Sequence, residues 1–563
     1  MHQLSRIFSP SFFILFVIWF IATAFNLDKA FHIDDTVHLE IARWIAGHPL
    51  TPMSGLINWH DNAGPMHNVN QPHLYFYLLA AWGQIFGYSE IAMHALQSLF
   101  TLVALYYFYR ITQIIAPQYS LLLSTFLVLG PAFLVGQNLM VDIPILSCWI
   151  VFYYLLLKPE RTSEHWRYFL ASLIASAAIL MKYSSLPLIP ILIIHILIRK
   201  KYQCLYTVLV PFAALLGWSY FNFLEYGSVH ILDRPIESSS LYHYLRMSFS
   251  WIITLGAISP FSIFFIPDSV WSLKERLTCR WRITFACSLL VIIVVFFCQF
   301  FFGLDVIFRV LNGIIFVLFI INGLFLVFLL FDATRKLFQK LFLITMSKST
   351  YLSSLREISR SHANDVVLIY WTVSAAAFIV LFSPFMATRH VLLSIPGLLL
   401  ILGSSIKSQQ VKKTKLYVSL ATTIILTTNL ALSDWQFANF YRKQAVEIVA
   451  NLPADRDIWF TGHWGWQWYA KQSGMKQLEL FRPKAEPGDY VIYPERIHQQ
   501  KLNPKLILNR VNVIQSPPIK LTYLSTANGA QFYFSKHMPW RFSEKPLGNI
   551  LVFRVRENRS LSN

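Results

Sequence analysis

Two adjacent carboxylates, Asp34-Asp35, stand within ten residues of the first long apolar run. A third, Asp142, lies alone in a short turn, 137–144, between two further apolar runs. Two more such turns carry Lys182, followed by Tyr183 and Ser184, and Arg389-His390. Ionisable groups at the ends of runs long enough to cross a bilayer are costly, which makes each a functional candidate. A carboxylate near an apolar boundary can have a raised pKa and take up a proton near neutral pH. Basic groups facing it can stabilise negative charge that grows during a reaction. Plainer roles compete. Asp34, Asp35 or Thr36 can cap the helix that follows, and Lys182 or Arg389 can snorkel to an interface. Snorkelling suits Asp142 poorly, and capping needs one carboxylate, not two neighbours.

The composition says what positions these residues. Apolar side chains make up 55% of the 563 residues and charged ones 13%, about half the share in soluble globular chains. With mean hydropathy of +0.49, most of the length cannot carry a solvated surface. Disorder, a collagen-like rod and a small disulfide scaffold are excluded, and a polytopic α-helical membrane protein is expected. Apolar runs fall near 10–26, 90–110, 119–137, 143–157, 168–182, 185–198, 204–222, 248–267, 283–303, 309–330, 366–384, 391–406 and 416–432. That is about 13 spans. A cytoplasmic N-terminus puts most of the Lys and Arg between spans on one side, in the sense of the positive-inside rule. The net charge of +19 therefore needs no nucleic acid. Arg6, the run to Phe25 and Ala22-Thr23-Ala24 also resemble a signal peptide, but Phe and Trp fill the run to its end, and a retained span is expected.

On this topology Asp34-Asp35, Asp142, Lys182 and Arg389-His390 share the non-cytoplasmic face. Residues 34–47 place Val37, Ile41, Trp44 and Ile45 at helical spacing, which predicts an amphipathic juxtamembrane helix. The large outer loop, 27–89, is polar and holds Trp59, His48, His60, Asp61, His67 and His73. None of these has tight ligand spacing, and no metal site is expected. The five cysteines form no CxxC or Cys/His pattern. From 433 to 563 the charges become regular and no spanning run occurs. Strands at 457–461, 489–494 and 550–555 and a helix at 466–472 predict a soluble α/β domain beside the membrane domain, 1–432. Its Trp464, Trp466 and Trp468 could stack on an acceptor's sugar rings, or could pack a core or a membrane interface.

These residues resemble a known superfamily. Ile33-Asp34-Asp35-Thr36 with Leu39-Glu40-Ile41-Ala42-Arg43 is similar to the acidic motif of the bacterial dolichyl-phosphate-mannose protein mannosyltransferase superfamily. These are GT-C membrane glycosyltransferases that include the lipid A aminoarabinose transferases. Gln71-Pro72-His73-Leu74-Tyr75-Phe76-Tyr77 resembles its Pro-Pro-Leu-Tyr-Tyr stretch. Val141-Asp142-Ile143-Pro144 resembles its second acidic motif, and Met181-Lys182-Tyr183 and Arg389-His390-Val391 resemble later basic positions. The second carboxylate is Asp rather than Glu, Gln71 replaces a Pro, and His94 stands where the family often has Arg.

The resemblance implies a GT-C fold and transfer of a sugar from a polyprenyl-phosphate donor to a lipid, glycan or protein acceptor on the non-cytoplasmic face of a cell inner membrane. It implies inversion, with Asp34 as base beside Asp35 and Asp142, and Lys182, Arg389 and His390 on the donor phosphate. No cofactor is required by the sequence, and a divalent cation has no support in it. No Walker or Rossmann fingerprint occurs. The competing functions are a flippase or exporter of lipid-linked saccharides and a partner-binding scaffold. The former predicts ionisable residues mid-span and internal pseudo-symmetry, neither of which the sequence displays.

Overall fold

The computed structural model describes residues 10–68, 72–159, 163–233, 240–267, 306–346, 363–406, 411–517, 524–527, 529–534, 538–543 and 546–560. The expected span at 283–303 and Gln71 lie outside them. The first apolar run forms α1 (Pro10–Ala24), and the amphipathic stretch forms α2 (Asp35–Gly47). The long loop then makes a short antiparallel hairpin, β1 (Leu56–Asn58) and β2 (Ala63–Pro65). α3 (Leu74–Phe86) and α4 (Glu90–Ile115) follow, the latter capped by Ser89, whose side chain accepts the Ala92 amide.

The run 119–137 is not one helix. It is split into α5 (Ser120–Val128) and α6 (Pro131–Val135) because Gly130-Pro131 interrupts it, with Pro131 in the first turn of α6. Backbone then unwinds until α7 (Asp142–Leu157) begins. The last carbonyls of α6 and the buried unwound backbone after it must find partners, and here side chains from the loop after α1, α2 and α4 supply them. Leu134 O accepts from Asn26 Nδ2 at 3.0 Å and Val135 O from Lys29 Nζ at 3.3 Å. Leu139 O accepts from His38 Nδ1 at 2.6 Å and Met140 O from Gln97 Nε2 at 3.3 Å.

Next come α8 (Glu164–Met181), α9 (Leu188–Ile198), α10 (Leu209–Tyr226), α11 (Leu241–Ile258) and α12 (Val306–Met346). A Cβ on Gly256 of α11 would stand 1.9 Å from Phe319 O, and one on Gly323 of α12 2.1 Å from Ile252 O, so the two backbones meet glycine to glycine. α13 (Ala363–Phe382), α14 (Thr388–Leu392), α15 (Ile395–Ser405) and α16 (Lys413–Asn451) complete the bundle. The chain is a multi-pass membrane protein. Among the described residues five helical segments have spanning length and hydropathy: Glu90–Ile115, Tyr202–Tyr226, Arg309–Lys336, Ala363–Phe382 and Lys413–Asn451. Shorter apolar helices accompany them, and the structure does not fix the number of spans at thirteen.

The 39 residues of α16 reach about 58 Å, roughly twice the hydrocarbon thickness of a bilayer. The helix runs unbroken through 432–433, where a domain boundary was expected. It delivers the chain to β3 (Ile458–Phe460), α17 (Trp464–Gln472), β4 (Lys476–Gln477), β5 (Tyr490–Pro494) and β6 (Leu506–Gln515). A small pair, β7 (Leu524–Ser525) with β8 (Arg541–Phe542), precedes β9 (Asn549–Asn558). The five-stranded sheet has the order β4-β3-β5-β9-β6. β3 is parallel to β4 and β5, and β9 is antiparallel to β5 and β6. Trp459, Val491 and Val555 bury one face of the sheet. Phe460, Ile492 and Val552 join a core continuous with the helices.

One buried ion pair ties the two parts together. Lys29 Nζ, in the loop after α1, lies 2.5 Å from Asp434 Oδ2 on α16, and neither side chain is more than 2% exposed. Asp434 also accepts from Thr526 Oγ1 at 2.9 Å and from the Tyr533 hydroxyl at 2.6 Å. Removing one member of such a pair leaves an unpaired buried charge, whereas replacing both by apolar groups is far milder. Lys29→Met should therefore destabilise the protein by about 3–5 kcal/mol. Lys29→Met with Asp434→Leu should recover much of that loss. Thermal unfolding of the detergent-solubilised variants checks this, and equal losses in the single and double variants would contradict it.

Candidate active site

The turn before α2 is forced into an unusual shape. Ile33 has φ +50°, a left-handed conformation that is rare for a β-branched residue and costs about 1–3 kcal/mol. Contacts on both sides hold it. Asp35 Oδ2 accepts the His32 amide at 2.7 Å. The Phe31 amide donates to the Tyr469 hydroxyl at 2.8 Å, and Thr36 Oγ1 donates to Trp464 O at 2.5 Å. Gly465 lies so close that a Cβ there would stand 1.8 Å from Phe31 O. His32 Nε2 is 3.6 Å from Asp434 Oδ1, so the buried pair of α16 backs the same turn.

This turn separates the two adjacent carboxylates. Asp34 occupies the position before α2 but makes no side-chain cap. Its side chain is 30% exposed, and Oδ2 meets Arg389 Nη2 at 3.2 Å. Asp35 is fully buried. Burial pushes its carboxyl up to about 8 despite the His32 amide and the Lys29 charge. Asp35 was expected among the catalytic residues, but it cannot reach a substrate from the interior, and its visible task is to close the turn. His38, on the same helix face four residues after Asp34, is buried beneath the charges, and burial lowers its imidazole below the ordinary value.

From Asp34 the charges continue inward. Arg389 Nε lies 3.5 Å from Asp142 Oδ2, and Lys182 Nζ lies 2.8 Å from Asp142 Oδ1. Arg389 Nη1 also donates to Tyr533 O at 3.3 Å. The four residues expected to act together, Asp34, Asp142, Lys182 and Arg389, thus form one row of ion pairs drawn from α14 and the starts of α2, α7 and the segment after α8. Asp142 has both oxygens engaged and is 5% exposed, which makes it the shared counter-ion of two cations rather than a free base. Lys182, at 24%, is the more open cation. His390 is half-buried beside Phe385. Burial, then the Lys182 and Arg389 charges, hold its imidazole well below the ordinary value, so it adds no fixed positive charge near neutral pH.

The aromatic run of α17 divides. Trp466 and Trp468 are buried, at 1% and 3% exposure, and pack the join between α17 and the bundle, the packing role of the two given above, with Trp468 also bordering the cavity described next. Trp464 is half-buried and left-handed, with φ +58°. Farther along α2, a cavity of about 520 Å³ is lined by Glu40, Arg43, Trp44, His48, Trp468 and Lys471. There Arg43 lies over the Trp468 ring at 4.1 Å, and Lys471 Nζ meets Glu40 Oε1 at 2.9 Å. The histidines of the long loop disperse: His48 stacks on Trp44, His67 on Tyr226, and His73 packs on Phe76. Among the described residues no group of three His, Cys, Asp or Glu is arranged to hold a metal ion. His94 is buried against Phe31.

Sequence reasoning missed Lys29, His38, Asn138, Asp434 and Tyr533. A signal existed for two of them. His38 follows Asp34 by one helical turn, and Asp434 lies two residues beyond an expected span.

The site is therefore a row of alternating charges at one end of a helical membrane bundle, roofed by a sheet-containing region. The model of the dolichyl-phosphate-mannose-protein mannosyltransferase family matches residues 70–221, about a quarter of the chain. That stretch holds Tyr75, Asp142 and Lys182, where the motifs resemble the same superfamily. The chain is thus similar to membrane glycosyltransferases over this region, and glycosyl transfer is the class of reaction the match supports. No curated protein matches the chain. Among solved structures, the chain is similar to ArnT from Cupriavidus metallidurans bound to undecaprenyl phosphate. The identity is 13% over 86% of this chain and 92% of that one, with a TM-score of 0.37. It is similar to the archaeal oligosaccharyltransferase AglB from Archaeoglobus fulgidus in complex with an inhibitory peptide and a dolichol-phosphate, at 10% identity over 86% and 69%, TM-score 0.43. It is also similar to the arabinofuranosyltransferase AftD from Mycobacteria, at 12% identity over 97% and 40%, TM-score 0.39. Likeness at this level fixes no chemistry.

The Asp35 carboxyl yields a prediction with a definite sign. A folded-state value raised to about 8 from an ordinary 3.8 means that the native state binds the proton more tightly than the unfolded chain does. Stability from this group is full below about 4 and is lost as pH rises toward 8. Asp35→Asn mimics the neutral acid and escapes that loss. Its unfolding midpoint should gain on the wild type between pH 5 and pH 8; a gap that stays constant or narrows would contradict the assignment.

Proposed function

We propose that the protein transfers a sugar from a polyprenyl-phosphate donor to an acceptor on the non-cytoplasmic face of a bacterial inner membrane, with inversion at the anomeric carbon. The observation that carries this reading is the row Asp34–Arg389–Asp142–Lys182, in which one carboxylate is accessible and the other is enclosed by cations. The family match over 70–221 supports the same class of reaction.

Asp34 is the base. It removes the proton from the acceptor nucleophile, whose lone pair attacks the anomeric carbon as the bond from that carbon to the phosphate oxygen breaks. The bonding pair leaves with the polyprenyl phosphate, and a nearby cation stabilises the charge that grows there. Lys182 supplies it, since Asp142 occupies one of its three ammonium donors and its side chain remains the more open of the two. Arg389 bridges both carboxylates and keeps them apart in charge and space. Asp142 holds the two cations in place. His390 contributes hydrogen bonding beside the phosphate. The acceptor, whether lipid, glycan or protein, approaches along α2 from the Arg43–Trp468 cavity, with Trp464 at the end nearest Asp34.

The charged residues gather at one end of the bundle, which suits surface transfer better than passage of a saccharide through it. Release of labelled sugar from a polyprenyl-phosphate donor in purified membranes tests the reading. Asp34→Asn should lower turnover by about 10²–10⁴ with unchanged membrane insertion; retention of more than about a tenth of wild-type turnover would contradict the base assignment. The two cations should separate in the same assay. Lys182→Ala should raise the KM for carrier lipid and lower kcat, because it loses both a phosphate contact and the charge that stabilises the leaving group. Arg389→Ala should instead lower kcat with little change in KM, because it unpairs Asp34 and leaves Asp142 with Lys182 alone. Identical kinetic defects in the two variants would contradict this division.

A further inference from the structure

Tyr533 makes contacts at both ends of its residue, and each leads to a different side of the site. Its hydroxyl donates to Asp434 Oδ2 at 2.6 Å and accepts from Asn138 Nδ2 at 3.1 Å. Its carbonyl accepts from Arg389 Nη1 at 3.3 Å. The preceding carbonyl, Phe532 O, accepts both the Thr388 amide at 3.1 Å and Thr388 Oγ1 at 3.0 Å, which pins this segment to the first turn of α14. The ring, 7% exposed, stands edge-on to His32 at 5.3 Å. One short segment beyond the helical bundle thus touches the arginine of the charge row, the unwound backbone before Asp142, and the buried pair behind the Asp34 turn.

We propose that Tyr533 is a positioning residue for the transfer reaction, setting the Asp34 turn against Arg389 through its hydroxyl and its carbonyl, so that the C-terminal region completes the active site. The proposal rests on the transferase reading. Nothing in the contacts requires Tyr533 to touch a substrate. It acts through Asp434, Lys29 and His32 on one side and through Arg389 on the other.

Tyr533→Phe removes the hydroxyl alone and leaves the ring and the carbonyl. Trp540→Phe is the control. Trp540 belongs to the same C-terminal region, but its indole donates to Ala257 O on α11, away from the charge row. In Tyr533→Phe, kcat should fall about tenfold with the KM for carrier lipid within about twofold. Amide hydrogen exchange over residues 31–36 should quicken at least fivefold while that of β5 and β9 stays unchanged. Trp540→Phe should lose thermal stability with kcat preserved. Turnover of Tyr533→Phe within twofold of wild type would overturn the proposal, as would a fall in kcat matched by Trp540→Phe at equal loss of stability. If the wild type releases no sugar, the transferase reading fails, and the exchange measurement alone then decides whether Tyr533 holds the turn.

Discussion

The arrangement depends on a charge pair that water does not reach. Lys29 and Asp434 are 2.5 Å apart with almost no exposure, and taking both from water costs several kcal/mol per ion before their attraction is counted. Hydrophobic residues of similar volume often replace such a pair at little or no cost in stability. The pair instead supplies direction. Lys29 Nζ also reaches Asn138 Oδ1 at 2.7 Å and Val135 O, and Asp434 reaches Thr526 and Tyr533. A fixed set of partners from the loop after α1, the broken helix, α16 and the C-terminal segment admits one relative placement of all four.

That placement explains why two neighbouring carboxylates differ so much. Ile33 in a left-handed conformation turns Asp34 toward Arg389 and Asp35 into the interior. The strain is supported from outside, by the Tyr469 hydroxyl, by Trp464 O and by the close approach of Gly465. Asp142, a third carboxylate, is set apart by its two cations. Three chemically similar groups therefore hold three environments: accessible and singly paired, buried and neutral near pH 7, and enclosed by positive charge. Only the first has the access that a base needs.

Much of this could be read from the chain before its fold was known. Charge placement picked out Asp34, Asp142, Lys182 and Arg389, because an ionisable residue at the end of an apolar run has few unremarkable explanations. Helical spacing placed α2, and short β-branched or aromatic runs at 457–461, 489–494 and 550–555 marked the strands that form at 458–460, 490–494 and 549–558. What could not be read was long-range pairing. Lys29 looked like one more basic residue of an outer loop, and Asp434 like the first charge of a separate domain. The break at Gly130-Pro131 was hidden inside a run apolar enough to pass as a span. Trp466 and Trp468 looked available for sugar because aromatic residues are equally suited to stacking and to packing, and burial alone separates the two.

In the proposed reaction the donor's phosphate sits at the charge row, where Asp34 meets the acceptor. A structure of the protein with a bound polyprenyl phosphate tests it most directly. The phosphate should lie within hydrogen-bonding distance of Lys182 Nζ and on the same side of Arg389 as the exposed oxygens of Asp34. A phosphate bound elsewhere, with the Asp34–Arg389–Asp142–Lys182 row undisturbed and empty, would contradict it.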